Sequence, residues 1–504
     1  RNVFDNLFDS LDVNSKGKIL CEGILEALKM KGILVDDLRI KETVQNLNAF
    51  KTKQISVKDF REIIEQNVTI IEKALAGGLV IPDFKNFCGF ITNMHNKTLL
   101  NKSGAVSDHT SVLKSVNPDQ FAISVCTVDG QQFSVGGSNV PFLIQEVAKA
   151  IIYCIILEDL GEEEVRKYIG REQKTRTFDG IFLNKEGLPY NALDEAGALA
   201  GASLIGPEKD MTNRYKLVLE TLKKMGGETG INSNDAAYLA EKESANMYSA
   251  LAHFMQEKRL FPKGSDFRAH LELFLQCLST QVTTDSLAVV AATLAGAGLC
   301  PLTGQAVFKA VTVRNCLSTM YFNGMGTESG DFSFMVGVPA ISGKSGALLI
   351  VIPNVMGIAL WSPRINAFGN SARGIDFCHK LVGQFNFHTY DSTFRPLDKV
   401  NPRLMKNEEI MKGIMAAIDA ASRGDLHEIK RLVANGVDLN DGDYDLRTPM
   451  HLAAAEGRLE VIRYFITLKL DLSPRDRWGG TPMRDAENGN HKEIIALLQK
   501  YGGR

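Results

Sequence analysis

Apolar positions follow three successive patterns along the chain. In residues 1–85, Val3, Leu7, Phe8 and Leu11 recur at helical spacing, and the stretches Leu25–Met30 and Ile63–Ile71 supply further apolar faces, which predicts a small helical module. Residues 86–400 mix two periods. Ala122–Val128 and Gln131–Val135 flank Asp129-Gly130, a pair that takes the positive φ angles of a tight turn, so a β-hairpin is expected there. Ala347–Ile352 and Gly357–Trp361 predict a second strand pair, while Pro141–Leu157, Lys216–Met225, Ala236–Glu257 and Ser286–Ala295 predict helices. The block reads as an antiparallel sheet packed with helices, an α/β arrangement.

Residues 410–504 repeat. Thr448-Pro449-Met450-His451-Leu452-Ala453-Ala454 returns as Thr481-Pro482-Met483-Arg484-Asp485-Ala486, 33 residues later, and Gly424 and Gly457 keep the same period. This matches the ankyrin pattern and spacing, in which helix pairs stack to bury their faces and present a surface for interaction. Near the start, Asp12-Val-Asn-Ser-Lys-Gly17-Lys-Ile19 resembles an EF-hand loop. Its twelfth position is Gly23, where calcium needs a bidentate carboxylate, and Lys16 occupies a liganding position, so a helix pair without metal is expected.

A chain of 504 residues is too long for one core, with roughly 100–200 residues per domain as the guide. A net charge of −2 gives no reason to expect nucleic acid or an acidic membrane as partner. The eight cysteines are scattered without a C-x-x-C pair, which supports neither a disulfide framework nor a zinc site and favours a reducing compartment. The longest apolar stretches, Val147–Leu157 and Ala347–Trp361, are too short or too interrupted to span a bilayer. The chain starts at Arg1 without Met, and any targeting segment is expected to have been removed already.

The order of helical module, central block and ankyrin repeats resembles the kidney- and liver-type glutaminases of animals. The specific matches are Ser124–Gly130 (SVCTVDG), Val140-Pro141-Phe142, Ala196-Gly197-Ala198, Ala292–Ala295 (ATLA), Val351–Gly357 (VIPNVMG) with Trp361-Ser362-Pro363, and Gly369-Asn370-Ser371 ahead of Gly374. The resemblance implies a serine β-lactamase/transpeptidase-like central domain within the division 1–85, 86–400 and 410–504 read above from the residue patterns. It implies deamidation of glutamine as the family activity, tetramers and polymers as its assemblies, and a mitochondrial location, with the cytoplasm as alternative. No cofactor is implied.

The same resemblance locates a site. The family uses Ser-x-x-Lys after V-P-F, serine attacking the amide and lysine one helical turn away moving the proton. Here Lys149 persists but Glu146 holds the nucleophile position, and a carboxylate is a poor nucleophile toward an amide. The plain alternative is a Glu146–Lys149 helix pair. Other family positions map to His109 and Gly326, each a tyrosine in the family, to Phe274, likewise a tyrosine, and to Glu195 and Tyr248, each an asparagine. Glu241 matches the family's binding glutamate, and Lys344 replaces a valine whose backbone helps build the oxyanion hole.

Losing a serine nucleophile costs on the order of 10⁶-fold where it has been measured, and each oxyanion donor about 10²–10³. The expectation from these replacements is therefore a protein that is not an enzyme, with Lys344 pairing Glu146 or Glu195 and filling the old pocket. The alternative is an active glutaminase, turning glutamine and water into glutamate and ammonia, or another amide hydrolase that uses Lys149 with Glu241 as acid and base. The family's gating loop matches Thr175–Leu183, where Phe178, Ile181, Phe182 and Leu183 are expected to form an interface for a homotetramer or filament, or for co-assembly with an active glutaminase.

Overall fold

Asp129-Gly130 closes the hairpin at the heart of the central block, with Gly130 at φ 83°. In this computed structural model, which describes residues 3–12, 17–50, 54–174, 183–392, 399–404, 406–434 and 436–503, five strands form one antiparallel sheet. They are β1 (Ala122–Thr127), β2 (Gln132–Gly136), β3 (Ala340–Ser342), β4 (Ala347–Ile352) and β5 (Met356–Trp361), in the order β2-β1-β5-β4-β3. Ala122 faces Gly136 in the hairpin, and Trp361 faces both Ala122 and Ala347 across β5. Every residue of β1, β4 and β5 is buried, so these strands read as unbroken apolar runs and not as alternation.

The Thr284–Ala295 helix lies on the sheet with all but one of its residues' side chains chosen small or aliphatic for close approach. Gly357 is the contact point: a Cβ there would sit 2.1 Å from the Ala292 backbone nitrogen. The two segments V-I-P-N-V-M-G and A-T-L-A therefore belong together for a steric reason, since only glycine lets strand and helix meet.

Two predicted helices are corrected. Pro141–Leu157 is not one helix: Phe142–Leu143 pairs as a short strand with Gln281–Val282, the chain turns at Gln145 with φ 48°, a 3₁₀ turn covers Gln145–Val147, and the α-helix runs Ala148–Leu160. An apolar run without periodicity does not separate strand from helix, and the partner strand decided it. Ala236–Glu257 is likewise two helices, Asp235–Glu243 and Asn246–Glu257, parted at Ser244-Ala245, and both pack on the Phe267–Leu278 helix.

The chain divides into two compact units, Arg1–Gly383 and Gln384–Arg504. Within the first, helices Val3–Leu11, Cys21–Met30, Lys41–Ala49, Val57–Ile64 and Val68–Leu75 enclose their own core of Phe8, Ile24, Leu28, Ile40, Phe60, Ile64 and Ile71. The Leu25–Met30 stretch contributes Leu28 to it, with Ile24 a turn earlier, while Met30 is exposed. In the EF-hand-like loop the Asp12 carboxylate accepts the Gly17 N–H at 2.7 Å; Lys16 lies outside the described residues. Arg39 ties this module to the hairpin, pairing with Asp37 at 2.6 Å and donating to Asp129 O at 2.6 Å and Gly130 O at 3.0 Å.

In the second unit, helix pairs Pro449–Ala455 with Leu459–Thr467 and Pro482–Asn488 with Lys492–Lys500 follow the 33-residue period. Thr448 and Thr481 cap them and proline opens each first turn, which is why Thr-Pro recurs. Ala453, Ile462, Phe465, Ala486 and Ile494 stack into one core.

Candidate active site

The turn at Gln145 places Glu146 and, three residues on, Lys149 at the buried start of the Ala148–Leu160 helix, facing a cavity of about 570 Å³. Glu146, Lys149, His109, Glu195, Tyr248, Gly326 and Lys344 all line it. Six different segments of the chain supply these residues, so only folding collects them. Two expected members stand behind the wall. Phe274 is fully buried and meets the Tyr248 ring edge-on at 5.3 Å between centroids. Glu241 is also fully buried, its Oε2 3.2 Å from His109 Nε2 and its Oε1 accepting from Gln145 Nε2 at 2.6 Å. Glu241 thus supports the wall, and the expected acid/base pairing of Lys149 with Glu241 is corrected: the carboxylates that face the cavity near Lys149 are Glu146 and Glu195.

Nor do Glu146 and Lys149 form the expected helix pair. Lys149 Nζ donates to Leu193 O at 3.3 Å and to Glu195 Oε1 at 3.4 Å. Glu146 turns to Lys344, accepting its backbone N–H on Oε2 at 2.7 Å with Lys344 Nζ 3.4 Å from Oε1. Gly343 makes this approach possible, because a Cβ there would lie 2.8 Å from Glu146 Oε2. Lys344 Nζ also donates to Tyr248 Oη at 3.4 Å and lies 5.5 Å from the ring centroid. Lys344 therefore points inward and pairs as expected, but it does not fill the pocket, and the cavity stays open beside it.

Sequence reasoning missed three members. Gln145 braces the turn through Glu241 and Leu278 O, while Lys174 and Asp194 line the cavity and pair at 2.8 Å, Lys174 also reaching Glu195 at 3.3 Å. Asp194 is adjacent to Glu195, and that acidic doublet was the available signal. Of the gating segment, Phe178, Ile181 and Phe182 lie outside the described residues, and Leu183 is half-buried against the main core.

Charge in the cavity is balanced by pairing. Burial pushes the Glu146 carboxyl up, but Lys344, Lys149 and the Lys344 N–H outweigh it and hold it below the usual carboxylate range. Burial likewise opposes the charge on Lys149, and Glu195, Tyr248 and Glu146 restore it, leaving its proton more tightly held than usual. Glu195, 41% exposed to the cavity, is raised by burial yet drawn well below its ordinary value by Lys149 and Lys174. Asp194 goes the other way, raised to about 6 by burial and by the neighbouring Glu195. The cavity thus holds an ionised carboxylate, an ammonium and the Tyr248 hydroxyl around one open space, a set able to bind a small polar amide and move protons.

The Glutaminase family model matches residues 104–390, an EF-hand domain model matches 3–82 and an ankyrin repeat model matches 417–466. The chain is 38% identical to the mitochondrial liver isoform of glutaminase of Mus musculus over 94% of this chain and 80% of that protein. It is 35% identical to a glutaminase of Nostoc sp. over 60% of this chain and 89% of that protein. Among solved structures, Mglu in its native form superposes with a TM-score of 0.57 at 28% identity, covering 60% of this chain and 72% of that one. The central block is accordingly a serine β-lactamase/transpeptidase-like α/β domain. These relatives, named glutaminases and similar over most of the chain, overturn the expectation that it is not an enzyme. The chain belongs to the glutaminase family.

Proposed function

We propose that this protein hydrolyses the side-chain amide of glutamine, giving glutamate and ammonia, in the cavity lined by Glu146 and Lys149. The observation that carries the reading is the open space of about 570 Å³ onto which an ionised carboxylate, a buried ammonium and a phenol all face. Resemblance puts the family's serine at 146, so the reading is of a divergent member in which Glu146 acts on water and not as a nucleophile. Glu146 takes a proton from water as the water oxygen bonds the amide carbon. Lys149 gives a proton to the nitrogen as the C–N bond breaks, and water in the cavity carries the proton from Glu146 back to Lys149, so that water and amide become acid and ammonia. Lys344 balances charge on the carbonyl oxygen. The lysines that hold Glu146 ionised also make it a weak base, so turnover is slow beside a serine-dependent relative.

The test is ammonia and glutamate release from glutamine by the purified full chain, with and without phosphate. Equal amounts of both products are expected, and Glu146→Gln lowers kcat by about 10²-fold or more. A rate for the natural chain no higher than that of the variant overturns the proposal. The residue patterns support the divisions 1–85, 86–400 and 410–504, and the resemblance supports self-assembly into a homotetramer able to grow into filaments and a mitochondrial location like that named for the murine relative. A mass by light scattering that stays monomeric at every concentration overturns the assembly.

A further inference from the structure

The loops that precede the last two Thr-Pro turns, residues 438–447 and 471–480, stand side by side. Arg477 N–H donates to Asp445 O at 2.8 Å and its guanidinium to Asp445 Oδ1 at 3.3 Å, while Asp471 N–H donates to Asn440 Oδ1 at 3.0 Å. Each loop is also closed from within. Asp443 Oδ1 accepts the N–H groups of Asp445 and Arg447, and Asp476 Oδ1 those of Trp478 and Gly480. On this braced pair three large apolar side chains face water: Tyr444 at 82% exposure, Leu446 at 58% and Trp478 at 69%.

Leu446 is held at φ 61°, a left-handed conformation that a leucine adopts only at a cost. At the same place in the next repeat, 33 residues on, stands Gly479 at φ 80°. A bulky residue kept in a strained backbone while its side chain is left in water gains nothing from the fold itself, and such a position marks a contact with something outside it. The surroundings are acidic. Asp438, Asp441 and Asp471 are exposed, whereas Arg447 and Arg477 are already paired with Asp485 and Asp445; Arg475 and Arg477 are the exposed cations among the described residues of these loops.

We propose that Tyr444, Leu446 and Trp478 dock an extended segment of another protein in which Lys or Arg alternates with aliphatic residues. Leu446 supplies the apolar anchor, the two aromatic faces take the cations, and Asp438, Asp441 and Asp471 neutralise them.

The experiment is fluorescence anisotropy of the full chain with a labelled Leu-Lys-Leu-Arg-Leu-Lys peptide and with its Leu-Glu-Leu-Asp-Leu-Glu counterpart. Saturable binding of the basic peptide, about tenfold tighter than the acidic one and weakened by salt, is expected. Trp478→Ala and Tyr444→Ala each lower that affinity about tenfold. Leu446→Gly lowers it several-fold while leaving the thermal midpoint unchanged or higher, whereas a leucine needed only for folding would lower the midpoint. Equal binding of the two peptides, preference for the acidic one, or affinities untouched by Trp478→Ala overturn the proposal. Self-association abolished by Trp478→Ala, without peptide binding, overturns it in favour of a second copy as the occupant.

Discussion

At the seam between β5 and the Thr284–Ala295 helix, contact depends on a side chain being absent, whereas in the neighbouring cavity it depends on charges being matched. Gly357 leaves no room even for a methyl group beside Ala292. In the cavity, Lys149 and Lys344 hold Glu195 and Glu146 at 3.4 Å each, across space that stays open. A steric seam of this kind has one solution, because packed backbone cannot yield. A charge network has many, since each carboxylate can change its lysine and each lysine can reach more than one oxygen. The seam therefore tolerates almost no substitution, and the cavity can change chemistry while the fold persists.

The sharpest way to break this contrast is Gly357→Ala. Overpacking against backbone is expected to destabilise the first unit by about 3 kcal/mol, read as a lower denaturant midpoint; a loss near zero would show that the seam yields after all. Glu195→Gln comes next. It leaves Lys149 buried without its nearest carboxylate, and because Glu195 is partly exposed and Glu146 remains close, the expected loss is about 2 kcal/mol by the same measurement. A full additional loss in Glu195→Gln with Lys149→Met together, in place of partial recovery, would show that the two do not act as a pair.

The smallest effects are those of pH. Glu146 is held below its ordinary value of 4.5, so its ionisation stabilises the fold above about that pH and the contribution is lost as pH falls through its lowered folded value. Asp194 has the opposite sign: raised to about 6 from 3.8, it favours the fold progressively as pH falls across that interval. Denaturant midpoints across the acidic range should show Glu146→Gln reducing the first slope, to which Glu195 also contributes, and Asp194→Asn removing the second. Carbon-detected NMR of Asp194 should place its titration near 6; an ordinary carboxylate value would remove the basis for that sign.

Much of the architecture was legible because it rests on local rules. Asp-Gly marked the hairpin, Thr-Pro at a 33-residue interval marked the repeats, and the unbroken runs at Ala347–Ile352 and Gly357–Trp361 marked central strands. The start of the Ala148–Leu160 helix was not legible, because Phe142–Leu143 becomes a strand only through pairing with Gln281–Val282. The candidate site shows the same divide. Seven of its residues could be chosen in advance from resemblance, yet the partner of Lys149, the retreat of Glu241 and Phe274 behind the wall, and the open volume beside Lys344 could not. The expectation of an inert protein rested on the replacements taken together, and the relatives named glutaminases overturn it.

By itself the sequence determined what local periodicity and turn chemistry decide: the repeat, the hairpin and the helical module. Only the tertiary structure decided which charge faces which. Ion pairs join residues from distant segments, as Glu146 joins Lys344, and the strength of such a pair depends on burial and separation, neither of which spacing along a chain encodes.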